Sequence, residues 1–205
     1  MRTWDEDYKE GVLPWDLGHP EPLLVAEVEA GALPSGRLLE IGCGTGDNAR
    51  FLAGRGCEVT AIDLSPTAVA LAADKGGRVT WAAHDVLADP LPGGPYDAVF
   101  DRGCFHVFDD PADRARFASR VSAALRVGGV WLTLAGSTEG PPRETGPPRR
   151  SMRDLAAAIE PHLEIIDLRR SVFANHAGDP AVWVCRARKR DVDAAPSTLH
   201  DPPLA

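Results

Sequence analysis

The chain has 205 residues, 44% hydrophobic and 25% charged, enough for one domain with a substantial core. Its net charge of −8 and isoelectric point near 5.2 argue against a phosphate-backbone partner, because nucleic-acid binding normally rests on a basic surface. No stretch approaches the roughly 20 apolar residues needed to span a bilayer, and the acidic start Trp4-Asp5-Glu6-Asp7 is unlike a secretion signal, so a soluble cytoplasmic protein is expected. The four cysteines, Cys43, Cys57, Cys104 and Cys185, form no CxxC pair, and they indicate neither a zinc site nor a disulfide framework.

In chain order, residues 4–22 show no clean period, yet they hold Trp4, Tyr8 and Trp15. Such aromatic residues either staple an arm onto the core or form a lid over a ligand, where ring faces attract a cation. Residues 21–32 suit an amphipathic helix ended by glycine and proline. The apolar run 37–41 reads as a strand, and Gly42-Cys43-Gly44-Thr45-Gly46 follows it as a tight turn into a helix over 48–53. A glycine turn there lets backbone pass close to a ligand and offers it the free N–H groups of a helix start. A second strand, 57–63, ends at Asp63. In a βαβ unit an acid at that place lies beside the first loop and can accept both hydroxyls of a ribose, although it can also cap the helix over 65–73.

A third strand, 79–83, leads to His84-Asp85-Val86, where a carboxylate can accept from an exocyclic amine of a purine. A fourth, 96–101, delivers Asp101, Arg102, Gly103, Cys104, Phe105 and His106 to the same rim, because open parallel sheets place ligands beyond the carboxyl ends of their strands. A helix over 111–125 is followed by Gly128-Gly129 and a strand over 130–135. Residues 136–150 read as a long surface loop, 151–159 as a helix capped by Ser151, and 163–171 and 181–187 as a closing strand pair. The proline-rich tail 191–205 is assigned neither fold nor site.

The run Glu40-Ile41-Gly42-Cys43-Gly44-Thr45-Gly46, with Asp63, Asp85 and Asp101 at successive strand ends, resembles the class I S-adenosylmethionine-dependent methyltransferases over most of residues 36–187. The resemblance implies an α/β, Rossmann-like seven-stranded mostly parallel sheet flanked by helices, with an antiparallel last strand. It divides the chain into an aromatic arm and helix (1–35), a methyltransferase domain (36–190) and a flexible tail (191–205). A dinucleotide-binding oxidoreductase is the competitor, but its G-x-G-x-x-G fingerprint is absent, since this loop runs G-x-G-x-G. The arm, with Trp4, Tyr8 and residues 10–18, looks like that of the thiopurine S-methyltransferase and halide/thiol methyltransferase group, where Tyr8 would usually be Trp. Gly140-Pro141-Pro142 or Gly146-Pro147-Pro148 is similar to that group's substrate loop, with Arg143 or Arg149 where Tyr often stands. Asp101-Arg102-Gly103-Cys104 is not the Asp/Asn-Pro-Pro-aromatic motif of amine-directed nucleic-acid enzymes, so a small-molecule methyl acceptor is favoured, with no nucleic acid, membrane or metal.

The resemblance implies S-adenosylmethionine contacts from Trp4, Tyr8, Trp15, Glu40, Gly42, Gly44, Asp63, Leu64, Asp85, Val86 and Arg102. Substrate candidates are Leu13, Phe105, His106, Arg143 and Arg149, with Arg102 and Arg150 as further cations for an acidic acceptor. A thiol ionises near neutral pH and obliges no strong base. The leading expectation is therefore S-methylation of a small thiol or soft anion. The alternatives are O- or N-methylation of a small metabolite with Asp101 or His106 as base, and a non-catalytic cofactor-binding protein. Nothing in the sequence fixes the oligomeric state, and a monomer is compatible with it.

Overall fold

The computed structural model describes residues 3–141, 146, 148–173 and 180–191. Arg143, Pro147 and the tail beyond Asp191 lie outside the described residues. The first element is a helix that period alone did not reveal, α1 (Trp4–Glu10), too short at two turns to show a stripe. Its signal is in its ends: Thr3 and Glu6 form a reciprocal capping box, and Gly11 closes the helix in the left-handed conformation. The second helix, α2 (Pro22–Glu29), is shorter than the 21–32 expected.

From there the elements alternate as the sequence implied: β1 (Arg37–Ile41), α3 (Asp47–Gly54), β2 (Glu58–Asp63), α4 (Pro66–Asp74), β3 (Val79–Ala83), β4 (Tyr96–Arg102), α5 (Pro111–Ala124), β5 (Leu125–Gly136), α6 (Met152–Ile159), β6 (Glu164–Val172) and β7 (Ala181–Arg188). Ser65 and Ser151 cap α4 and α6 through their hydroxyls. One expectation is corrected. The fifth strand does not start after Gly128-Gly129 at residue 130, since β5 begins at Leu125, paired with Tyr96, and the glycine pair falls at a register shift before Val130 meets Ala98.

The seven strands lie in the order β3-β2-β1-β4-β5-β7-β6. The pairs among β3, β2, β1, β4 and β5 are parallel, and β7 is antiparallel to both its neighbours. Strand order reverses between β1 and β4, and there the chain must leave the sheet in opposite directions, opening a crevice beyond the carboxyl ends. Both faces are covered. Phe117 and Val121 of α5 with Leu155 and Ile159 of α6 pack on one, and Leu24 of α2 with Ala49 and Leu52 of α3 on the other. Central strands thus read as continuous apolar runs, as in Ala98, Val99 and Phe100 of β4.

Candidate active site

The crevice holds a cavity of about 640 Å³, lined by the ends of β1, β2 and β4, the loop after β3 and the N-terminal arm. Trp4, Tyr8, Trp15, Gly42, Asp63, Leu64, Asp85, Val86, Arg102 and His106 all face it, as do Pro14, Cys104, Phe108, Gly136 and Phe173. A smaller pocket joins it along the glycine loop, lined by Tyr8, Trp15, Gly44, Asn48 and Arg102.

Asp63 organises the loop. One carboxylate oxygen accepts the Gly44 N–H at 2.9 Å and the other the Ser65 N–H at 2.9 Å, so the acid at the end of β2 is tied to both the glycine turn and the start of α4. The cap of α4 is Ser65 and not Asp63, since the Ser65 hydroxyl accepts the Ala68 N–H at 3.0 Å. Burial pushes the Asp63 carboxyl up, and the backbone N–H donors oppose that shift. Each carboxylate oxygen has further acceptor capacity for a ribose hydroxyl. The turn has no room for side chains at its glycines: Gly46 sits at φ 83°, and a Cβ there would come within 2.4 Å of the Trp81 ring.

Glu40 lies beneath the turn, 1% exposed, with Oε1 accepting from Asn48 at 3.2 Å and Oε2 buried without a partner. Desolvation raises its carboxyl to about 8, ahead of the opposing Asn48 bond. Glu40 lines neither pocket, and what fits an ammonium such as the amino group of S-adenosylmethionine is its unpartnered Oε2 beside the glycine turn.

The arm is docked, not loose. Asp5 accepts from the Ser65 hydroxyl at 2.6 Å and the Thr67 N–H at 3.1 Å, and Lys9 pairs with it at 2.7 Å. Lys9 first and Ser65 next hold its carboxyl well below the usual carboxylate range. Trp15 packs edge-on to Trp4 and Tyr8, with ring centroids 5.4 and 6.0 Å away, and its indole N–H donates to the Tyr8 hydroxyl at 3.3 Å. Burial first, and the Asp63 charge next, push the Tyr8 phenol up, so it stays a neutral hydroxyl beside Gly44.

Four candidates are corrected. Asp101 is fully buried and does not line the cavity. One oxygen accepts the Phe105 N–H and the other the Trp131 indole N–H, both at 2.9 Å, so it anchors the chain turn and is not placed as a base. Burial raises its carboxyl to about 6. Phe105 is core, packed edge-on against Phe117 and Trp131. Leu13 gives its expected place on the cavity wall to Pro14. Arg149 donates to the Gly140 and Pro141 carbonyls and stands outside the lining. The expected cations for an acidic acceptor are likewise engaged. Arg102 pairs with Glu21 at 2.6 Å and stacks over Phe173, and Arg150 pairs with Asp109 at 2.8 Å while donating to the Phe108 carbonyl. Glu21, Gly136 and Phe173 escaped the sequence reading because each reaches the rim by long-range packing that leaves no local pattern. Cys104 lines the cavity, half-buried, with its thiol pushed well above the ordinary value by desolvation, which favours the protonated form. Among the described residues no cluster suits a metal ion, and no helix is long and apolar enough to cross a membrane.

Residues 38–129 match the family model of a methyltransferase domain. A probable thiol methyltransferase 2 of Arabidopsis thaliana is 34% identical over 150 residues, 71% of this chain. The aligned region spans 65% of that relative's own length. Among solved structures, one determined for the conversion of a disulfide bond into a thioacetal group during echinomycin biosynthesis superposes with a TM-score of 0.76 at 29% identity, over 86% of this chain and 84% of the other. A Burkholderia thailandensis 1,6-didemethyltoxoflavin-N1-methyltransferase, solved with bound 1,6-didemethyltoxoflavin and S-adenosylhomocysteine, gives 0.71 at 26%, over 90% and 84%. The chain thus matches a methyltransferase-domain model over residues 38–129 and shares the fold of S-adenosylmethionine-dependent methyltransferases. Within that class its similarity reaches a thiol methyltransferase, the group that its arm implied.

Proposed function

We propose that the protein transfers the methyl group of S-adenosylmethionine to the sulfur of a small thiol or a comparably soft anion. The observation that carries this reading is the Trp4–Tyr8–Trp15 cluster packed over the same cavity that holds the glycine turn and Asp63, at a rim whose described arginines are all paired. When bound, the cofactor supplies an electrophilic methyl on a sulfonium. The chain's part is to bind and align: Asp63 takes the ribose hydroxyls, Asp85 and Val86 the adenine edge, Glu40 the ammonium, and the aromatic arm excludes water from the sulfonium. Charge is lost as the methyl moves to an anionic acceptor, so a water-poor site favours the reaction by stripping hydration from the nucleophile. With Asp101 buried away from the cavity and turned to structural bonds, an acceptor that ionises by itself suits the site better than an alcohol.

In this reading the acceptor is a small molecule and not a nucleic acid, in keeping with the acidic chain, and the protein acts in the cytoplasm, as a monomer or otherwise. Residues 1–35 serve the catalytic domain as its lid. Calorimetry should register S-adenosylmethionine and S-adenosylhomocysteine binding, and S-adenosylhomocysteine should accumulate only when a thiol is added. Binding without product from thiols, phenols, carboxylates and amines alike would instead make the protein a non-catalytic cofactor binder.

A further inference from the structure

Beyond Arg102, β4 breaks off at Gly103, held at φ 72°, and the chain makes one 3₁₀ turn, Phe105–Val107, before α5. The turn is fixed from below by the Asp101 bond to the Phe105 N–H and by the Phe105 ring between Phe117 and Trp131. His106 is therefore presented rigidly to the cavity wall, 4% exposed, between Gly103 and Gly136. A Cβ on Gly136 would stand 2.9 Å from its Nδ1, so glycine is what admits the ring there. The Gly136 N–H, at the end of β5 and two residues beyond the last β4–β5 pair, donates to His106 Nδ1 at 2.5 Å.

A ring nitrogen cannot accept that bond and carry a proton at once, so the neutral imidazole bears its hydrogen on Nε2. Protonating Nδ1 would set two N–H donors against each other and cost the Gly136 amide its partner. We infer that His106 serves the methyl acceptor as a neutral Nε2–H hydrogen-bond donor and not as a general base. The inference rests on the thiol-methylation reading for the identity of the acceptor, and on the geometry at Gly136 for the tautomer. A donor can orient a thiolate but cannot take a proton from an alcohol, which selects for acceptors that ionise without help. The thiol's proton leaves to solvent beforehand, the thiolate lone pair forms the new S–CH₃ bond, and the electron pair of the broken bond stays on the departing sulfur as a neutral thioether. His106 ends the step in the protonation state in which it began.

Imidazole ¹⁵N spectra of the full chain tests this, recorded at about pH 8, above the ordinary histidine value of about 6.5, with the His106→Gln spectrum assigning the resonance. His106 should show an unprotonated Nδ1 and a proton on Nε2, with and without S-adenosylhomocysteine; a proton on Nδ1 overturns the assignment whatever the enzyme methylates. In thiol turnover His106→Gln, which keeps an N–H near the Nε2 position, should stay within about fivefold of wild type while His106→Ala loses about 10- to 100-fold. If wild type methylates thiols but both variants fall equally by about 100-fold or more, His106 is a base and the inference fails.

Discussion

Arg102 donates from Nε to Glu21 Oε2 at 2.6 Å, joining the last residue of β4 to the cap of α2 across 81 positions of sequence. Its second hand goes to the Trp15 carbonyl at 3.2 Å, and the Glu21 backbone N–H donates to Asn48, which itself donates to Glu40. The lid, the glycine turn and the strand that ends at the acceptor side are thus one connected polar unit. Removing one partner of so buried a pair leaves the other charge unpaired. Arg102→Leu should lower stability by about 3 kcal/mol, seen in denaturant unfolding, and loosen the arm, seen as a shift in tryptophan fluorescence. Arg102→Lys should recover little, because an ammonium cannot serve Glu21 and Trp15 from the planar fork that guanidinium provides.

The Asp63 carboxylate is predicted to matter through its fixed loop as well as its own contacts. Asp63→Ala should weaken S-adenosylmethionine binding at least about tenfold by calorimetry, since a charge-assisted hydrogen bond contributes about 1.5–3 kcal/mol. Unchanged affinity would remove the ribose from this position.

Glu40 gives a pH signature. Its folded-state value, raised to about 8, lies above the unfolded one, so the protein without ligand holds more protons than the unfolded chain in between. The contribution of this group to stability is therefore full below the unfolded value, about 4.3, and is lost as pH rises towards 8. Glu40→Gln should flatten that decline in unfolding curves taken across the range. If Glu40 meets the cofactor's ammonium, binding near pH 7 should release a proton, read as a dependence of the calorimetric heat on buffer ionisation enthalpy.

Gly46→Ala should cost about 1–3 kcal/mol, since it adds a left-handed backbone strain to a clash with Trp81 and Ala72. Trp4→Ala should behave differently. The ring is 41% exposed, so unfolding should move little while cofactor affinity falls by about 0.5–2 kcal/mol if the ring faces the sulfonium.

Much of this site was legible in the sequence, and the reason is topological. Parallel strands end at one rim, so Asp63, Asp85 and the glycine turn converge whatever the details of packing. What failed were inferences from rim position to side-chain direction. Asp101 and Phe105 stand at the end of β4 as expected, yet both turn inward, because the 3₁₀ turn after Gly103 needs an anchor and the face under α5 needs a ring. Arginines in a polar loop read as anion receptors, but Arg149 and Arg150 are consumed by carbonyls and Asp109 close at hand. The helix α1 escaped because two turns carry no period, although its capping box was present in Thr3 and Glu6. The Gly136 amide on His106 had no signal at all, since 30 positions separate the two residues.

The most direct test of S-methylation is a matched pair of acceptors with one carbon skeleton, a thiol and the corresponding alcohol, supplied with S-adenosylmethionine under identical conditions and analysed by mass spectrometry. The expected product is the methyl thioether, formed together with S-adenosylhomocysteine, and no methyl ether. A methyl ether without the thioether would contradict it.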